Sequence, residues 1–217
     1  MKVEVLRNVF AKNEHAAQNN RRAFDERGIL CVNLLGGAGA GKTSVLEAVL
    51  PILRRQARLG VMEGDLATTR DADRIAALDV PVVQLLTEGG CHLNATLVEQ
   101  GLKRLPLGDI DILVIENVGN PICPANFDLG EHLRLSVLSV TEGDDKPSKY
   151  PLLFRNVSAV LLTKCDLLPH VRFDIAAVTE DLRRLNPEGR IFRTDLRTGQ
   201  GFGDLADWIL SHRRRPA

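Results

Sequence analysis

The sequence carries no excess of charge: 28 basic residues balance 28 acidic ones, and the formal net charge is zero. That balance leaves no electrostatic footprint for nucleic acid or an anionic membrane surface. The short basic tail "RRRPA" reads as a solvated end. No apolar run reaches the length of a membrane-spanning helix. The first residues, "MKVEVLRNVFAKNEHAAQNNRR", lack the apolar core of a signal peptide, so a cytoplasmic location is expected. Cysteine is scarce and irregularly placed, at Cys31, Cys91, Cys123 and Cys165 in a chain of 217 residues. That pattern argues against a disulfide framework. Internal repeats and low-complexity tracts are also missing. The length suits one domain with a full core and room for an appended arm.

What is present is alternation. The apolar runs "ILCVNLL", "VPVVQLL", "DILVIEN", "LRLSVLSV" and "VSAVLLTK" have the unbroken character of buried parallel strands. Helical patterns such as "SVLEAVLPILRRQA", "ATLVEQGLKRL" and "DIAAVTEDLRRLN" separate several of them. "TTRDADRIAAL" opens with a capping-box spacing, Thr68 with Asp71. The expectation is an α/β fold: three layers, a mostly parallel sheet flanked by helices. Residues 1–28 form an N-terminal helical arm, closed by Gly28 as a C-cap glycine, and 29–217 form the nucleotide-binding domain. The longest polar interruption, "TEGDDKPSKYPLLFRN", reads either as a structural loop or as a mobile functional one.

In such sheets ligands sit beyond the carboxyl ends of the strands, and the motifs fall there. "GGAGAGKT" (Gly36, Gly37, Ala38, Gly39, Ala40, Gly41, Lys42, Thr43) matches G-x-x-x-x-G-K-[ST] between a strand and a helix. Its glycines let backbone N–H groups face phosphate, and the helix dipole adds to the attraction. Lys42 would reach the β- and γ-phosphates and Thr43 would ligate Mg²⁺, with Ser44 beside them. "LLTKCDLL" places Lys164 and Asp166 in the guanine-reading [NT]-K-x-D arrangement. A carboxylate there accepts guanine N1–H and the exocyclic amine, and adenine offers neither, which points to GTP. "TDLRTGQG", with Leu196 in it, would close over the base. Asp65 and Glu116 end strands at the metal-phosphate side and are candidates for holding Mg²⁺ or the attacking water. Gly119, in "ENVG", is placed for its amide to touch the γ-phosphate. Cys31 reads as a core residue and Cys165 as filler.

Cys91 and His92 leave the same sheet edge in "GGCHLNATLV", and Cys123 leaves it in "GNPICP". Thiolates and an imidazole suit Zn²⁺ or Ni²⁺. Three ligands leave the shell open, or invite completion by a second subunit. Because Cys123 follows "ENVG" closely, a nucleotide-dependent movement there would carry Cys123 along and link metal affinity or subunit pairing to nucleotide state.

Taken together, "GAGAGKT", "EGDLATTRDADRI", "GGCHLNATLV", "IENVGNPICP", "EGDDKPSKYP" and "LLTKCDLLP" resemble the HypB family of hydrogenase nickel-incorporation GTPases, from "NVFAKNEH" almost to the C-terminus. The resemblance implies a homodimeric P-loop GTPase of the signal-recognition/MinD-like class. Such a protein takes GTP/GDP, Mg²⁺ and Ni²⁺ (or Zn²⁺). It works with a zinc-containing HypA-type nickel chaperone to supply the [NiFe]-hydrogenase large-subunit precursor. It also implies Cys91, His92 and Cys123 as metal ligands. The chain departs from the pattern at Thr96, where many relatives have a second histidine, at Asn94, where aspartate is common, and in "LRTGQG". It lacks the N-terminal cysteine motif and histidine-rich stretch of some relatives, so no separate nickel store is expected. Two other readings compete: a metal-dependent dimerisation module with negligible turnover, and a small-molecule phosphotransferase.

Overall fold

The computed structural model describes residues 8–66, 68–87 and 89–213. The first seven residues of the arm and all but the first arginine of the basic tail lie outside the described residues. The chain runs α1 (Asn8–Arg27), β1 (Leu30–Gly36), α2 (Lys42–Leu53), β2 (Leu59–Asp65), α3 (Arg70–Ala76), β3 (Val82–Leu86), α4 (Ala95–Leu102), β4 (Ile112–Glu116), β5 (Leu133–Ser139), α5 (Lys146–Lys149), α6 (Pro151–Arg155), β6 (Ala159–Thr163), α7 (Ile175–Leu185), β7 (Arg190–Arg193) and α8 (Phe202–Ser211).

The seven strands form one sheet in the order β3-β2-β4-β1-β5-β6-β7. Every strand pair is parallel, so the sheet is more uniform than the mostly parallel one expected. Parallel strands need crossovers, and the helices that supply them cover both faces. Alternate residues of β1 show this: Leu30, Val32 and Leu34 pack with Val45 and Leu46 of α2 and with Phe202 and Leu205 of α8. Cys31 points the other way, into a cluster with Phe24 of α1 and Val98 and Leu102 of α4. Farther along that face, Leu35, Leu138 and Leu162 meet Phe154 of α6 and Val178 and Leu182 of α7. Cys31 is thus a core residue, and burial pushes its thiol pKa well up.

α1 lies on the α4 side, held by amides. Asn20 Nδ2 donates to Ala95 O at 2.8 Å and Leu129 O at 3.0 Å. Asn13 donates to Asp128 O at 2.7 Å and accepts from Ala95 N at 2.8 Å. The helix ends at Gly28, whose φ of 65° is the left-handed conformation a C-cap glycine supplies.

One expectation needs correction. The capping box at Thr68 and Asp71 does not form. Thr68 instead hydroxyl-bonds Asp65 Oδ2 at 2.6 Å, and α3 begins after Thr69, which makes no side-chain cap. The polar interruption, read as either a structural or a mobile loop, holds two short helices, α5 and α6, with Leu153 and Phe154 buried.

Candidate functional site

The carboxyl ends of the strands converge on a cavity of about 400 Å³, lined by Ala38, Gly39 and Gly41 to Ser44 of the P-loop, by Glu63, Asp65, Asp71 and Arg74, by Glu116 to Gly119, and by Lys164. Gly41 caps α2 with φ 97°, a left-handed turn that lets the loop fold back onto the helix start. Lys42 Nζ lies 3.4 Å from Gly37 O. Thr43 Oγ1 donates to Glu116 Oε1 at 2.8 Å. Glu116 is buried, and its Oε2 has no hydrogen-bond partner. Burial pushes its pKa up to about 7, with Lys42 and the Thr43 bond pulling the other way. Glu63 faces it across the β2–β4 pairing, and burial followed by the charge of Glu116 lifts its pKa to about 8. Two buried carboxyls, one of them with an unpartnered oxygen, and a hydroxyl make a hard-oxygen donor set of the kind a small divalent cation takes.

Asp65 lines the same cavity and accepts from Leu66 N at 2.6 Å and Thr68 N at 3.1 Å. Sequence reading missed four neighbours. Arg74 pairs with Glu47 at 2.5 Å and Asp71 at 2.8 Å and donates to Ser44 Oγ at 3.2 Å, which ties Ser44 to α3. Glu63 and Asn117 also went unnoticed. A buried glutamate in the apolar run "LGVMEGD" was a signal for Glu63. Arg74 and Asp71 gave none until α3 was placed.

At the end of β6, Lys164 Nζ donates to Gly39 O at 2.8 Å and Thr163 Oγ1 to Ala40 O at 2.6 Å, clamping this strand end to the P-loop. Cys165 N donates to Thr194 O at 3.2 Å, rooting the Thr194–Gly201 loop beside Lys164 and Asp166. Asp195 Oδ1 shapes that loop by accepting from Arg197 N and Thr198 N at 2.8 and 3.2 Å. Asp166 and Leu196 do not line this cavity: Asp166 is half-buried next to Cys165, and Leu196 is exposed.

Cys91, His92 and Cys123 come together, with their donor atoms within 4.8 Å of one another. Cys91 Sγ is 3.6 Å from His92 Nδ1. Burial lowers the His92 pKa, which favours the neutral, ligating imidazole. The hydrogen bond with Cys91 raises the Cys123 thiol, burial and the charge of Cys91 add to this, and the bond from Asn120 opposes it. The His92 ring stacks on Phe127 at 3.9 Å, and Phe127 stacks on Phe10 of α1 at 5.5 Å. Thr96 is not part of this group and instead lines a neighbouring cleft with His92 and Phe127. Asn94 caps α4, accepting from Leu97 N at 2.9 Å.

The two centres share a segment. Gly119 lies so close to the P-loop that a Cβ would stand 2.9 Å from Ala38 Cα. Asn120 forms a bridge with Gly36, and its Oδ1 accepts from Cys123 N at 3.3 Å.

A family model described as "CobW/HypB/UreG, nucleotide-binding domain" matches residues 30–193. Hydrogenase maturation factor HypB of Azotobacter chroococcum mcd 1 is 43% identical over 211 residues, covering 97% of this chain and 69% of that protein. This chain belongs to the HypB family. Two solved HypB structures are similar throughout. That from Archaeoglobus fulgidus has a TM-score of 0.87 at 36% identity, covering 93% of this chain and 98% of that one. HypB from Helicobacter pylori, solved in complex with nickel, has a TM-score of 0.89 at 33% identity, covering 95% and 99%. The P-loop NTPase-like α/β architecture of the HypB family is therefore this chain's architecture.

Proposed function

We propose that the protein is a GTP-hydrolysing nickel carrier for [NiFe]-hydrogenase maturation, with metal held at Cys91, His92 and Cys123 and released under nucleotide control. The observation that carries this reading is the convergence of those three donors within 4.8 Å, one short segment away from the P-loop. Its HypB relatives, including one solved with nickel, support it.

In this reading the triphosphate lies along Gly36–Thr43, with Lys42 countering the β- and γ-phosphate charge and Gly119 at the γ end. Thr43 and Glu116, with Asp65 nearby, would hold Mg²⁺, which when bound neutralises charge developing on the phosphates. The unpartnered Glu116 Oε2 fits that role. Glu116, or Asp65, orients the attacking water. Asp166 selects guanine, Lys164 packs against base and ribose, and Leu196 covers the base. Nickel is cargo, and a tetrahedral or larger shell needs a donor beyond these three. We place it on a second copy of the chain or on an acceptor such as a HypA-type chaperone. Residues 1–28 serve as an arm on the 29–217 GTPase domain.

Nickel titration of Cys91→Ala and Cys123→Ala, alongside GTP binding, tests this. Each variant is expected to lose at least about tenfold in Ni²⁺ affinity, some 1.4 kcal/mol, and to keep its GTP affinity. Undiminished nickel binding in both would remove the site.

A further inference from the structure

We infer that Asn117 is the positioning residue that sets both metal-binding loops against the triphosphate pocket; this rests on the nucleotide-controlled reading of the preceding subsection. Asn117 directly follows Glu116 at the end of β4 and lines the phosphate cavity, yet only 1% of its surface is exposed. Its backbone N–H continues the sheet by donating to Leu34 O at 3.0 Å. Its side chain faces the metal side and uses both ends.

Asn117 Oδ1 accepts from Leu93 N at 3.2 Å and from Val118 N at 3.0 Å. Leu93 is the residue after His92, so this amide fixes the backbone that carries Cys91 and His92. Asn117 Nδ2 lies 3.4 Å from Asn33 Oδ1. From there the contacts run to the other loop. Asn33 Nδ2 donates to buried Glu131 Oε1 at 3.0 Å, and Arg134 Nε donates to the same oxygen at 2.7 Å. The Arg134 guanidinium then reaches Ala125 O at 3.3 Å and Phe127 O at 3.2 Å, just past Cys123. One side chain is thereby bonded to the His92 loop directly and to the Cys123 loop through three others.

A displacement of the Glu116–Gly119 segment when the γ-phosphate binds or leaves moves the Asn117 amide. The two loops, and with them the spacing of their donors, must follow or lose buried hydrogen bonds. An unpaired buried amide is costly, so following is favoured. Asparagine is required because leucine offers neither bond and aspartate offers only the acceptor.

The experiment measures Ni²⁺ affinity with GDP and with a non-hydrolysable GTP analogue, read by the near-ultraviolet thiolate-to-nickel absorption. The ratio of the two constants is the coupling, and it is insensitive to a uniform loss of affinity. In the unaltered protein the ratio should be about fivefold or more. In Asn117→Ala it should fall to within about twofold of unity, since both branches are lost. Asn33→Ala and Asn117→Asp break only the Asn33 branch and should give intermediate ratios, which keeps the test open if Asn117→Ala does not fold. An unaltered ratio in the variants overturns the role of Asn117 while leaving nucleotide control standing. A ratio of one in the unaltered protein overturns both.

Discussion

Glu63 carries its carboxyl into the buried part of β2, opposite Glu116, and it holds its proton up to about pH 8. The unfolded chain releases that proton near 4.5. Between those values the folded form binds more protons, so stability falls as pH rises through the window and levels off above it. Glu63→Gln keeps the shape and removes the titration. Its urea midpoint should therefore drop less than that of the unaltered protein between about pH 5 and 8.5. The part due to Glu116, raised to about 7, should persist. Equal slopes in the two proteins would mean that the carboxyl is not buried as described. Asp166 is tested by its own chemistry. Its carboxylate would accept two guanine donors, each charge-assisted bond being worth about 1.5–3 kcal/mol. Asp166→Asn should reduce GTP affinity by roughly ten- to a hundredfold and favour xanthosine triphosphate in competition. A preference for GTP that survives the substitution would move base recognition elsewhere.

Among the elements, α1 is seated by buried Phe24, Ala16 and Ala17 and by the buried amides of Asn13 and Asn20. Asn20→Ala leaves Ala95 O and Leu129 O without their donor, at a cost of about 1–3 kcal/mol in a denaturation curve. Because Ala95 opens α4 just after the His92 loop, nickel affinity should also weaken while GTP binding holds. Equal losses of both ligands would mean that α1 supports the whole domain and not one loop. The strands that build this edge were legible because buried parallel strands are uniformly apolar, and "GGAGAGKT" fixed where the first one ends. The convergence of Cys91, His92 and Cys123 was legible once those strand ends were placed. β7 was not, being a four-residue edge strand with both ends exposed. α5 and α6 were hidden by their brevity and the polarity of "EGDDKPSK". Thr68 had the right spacing for a capping box, but Asp65 holds its hydroxyl, a contact fixed by the turn after β2. Glu63 acquires its meaning from register with Glu116, and Asn117 from three partners distant in sequence; neither relation is written in local pattern.

For the molecule as a whole, the half-buried group of Cys91, His92 and Cys123 lies amid exposed apolar side chains. Ile122, beside Cys123, is 55% exposed; Phe10, stacked on Phe127, is 62% exposed; Leu86, on the cleft shared with His92, is 47% exposed. Grouped apolar surface of this kind marks an interaction face, and a net charge of zero puts no long-range repulsion between copies. A second copy related by a twofold axis through this face would bring six donors to one place and complete the coordination that three leave open. Addition of Ni²⁺ or Zn²⁺ with a GTP analogue is therefore expected to shift the protein from monomer to dimer in sedimentation velocity. Ile122→Glu, which places a charge in the face without touching a donor, should hold it monomeric while each chain still binds one GTP. If Ile122→Glu dimerises as the unaltered protein does, the pairing surface lies elsewhere and the missing metal donor must come from a different partner. If neither protein pairs under any combination of metal and nucleotide, the shell is completed by water or by the acceptor alone, and metal release cannot depend on dissociation of a dimer.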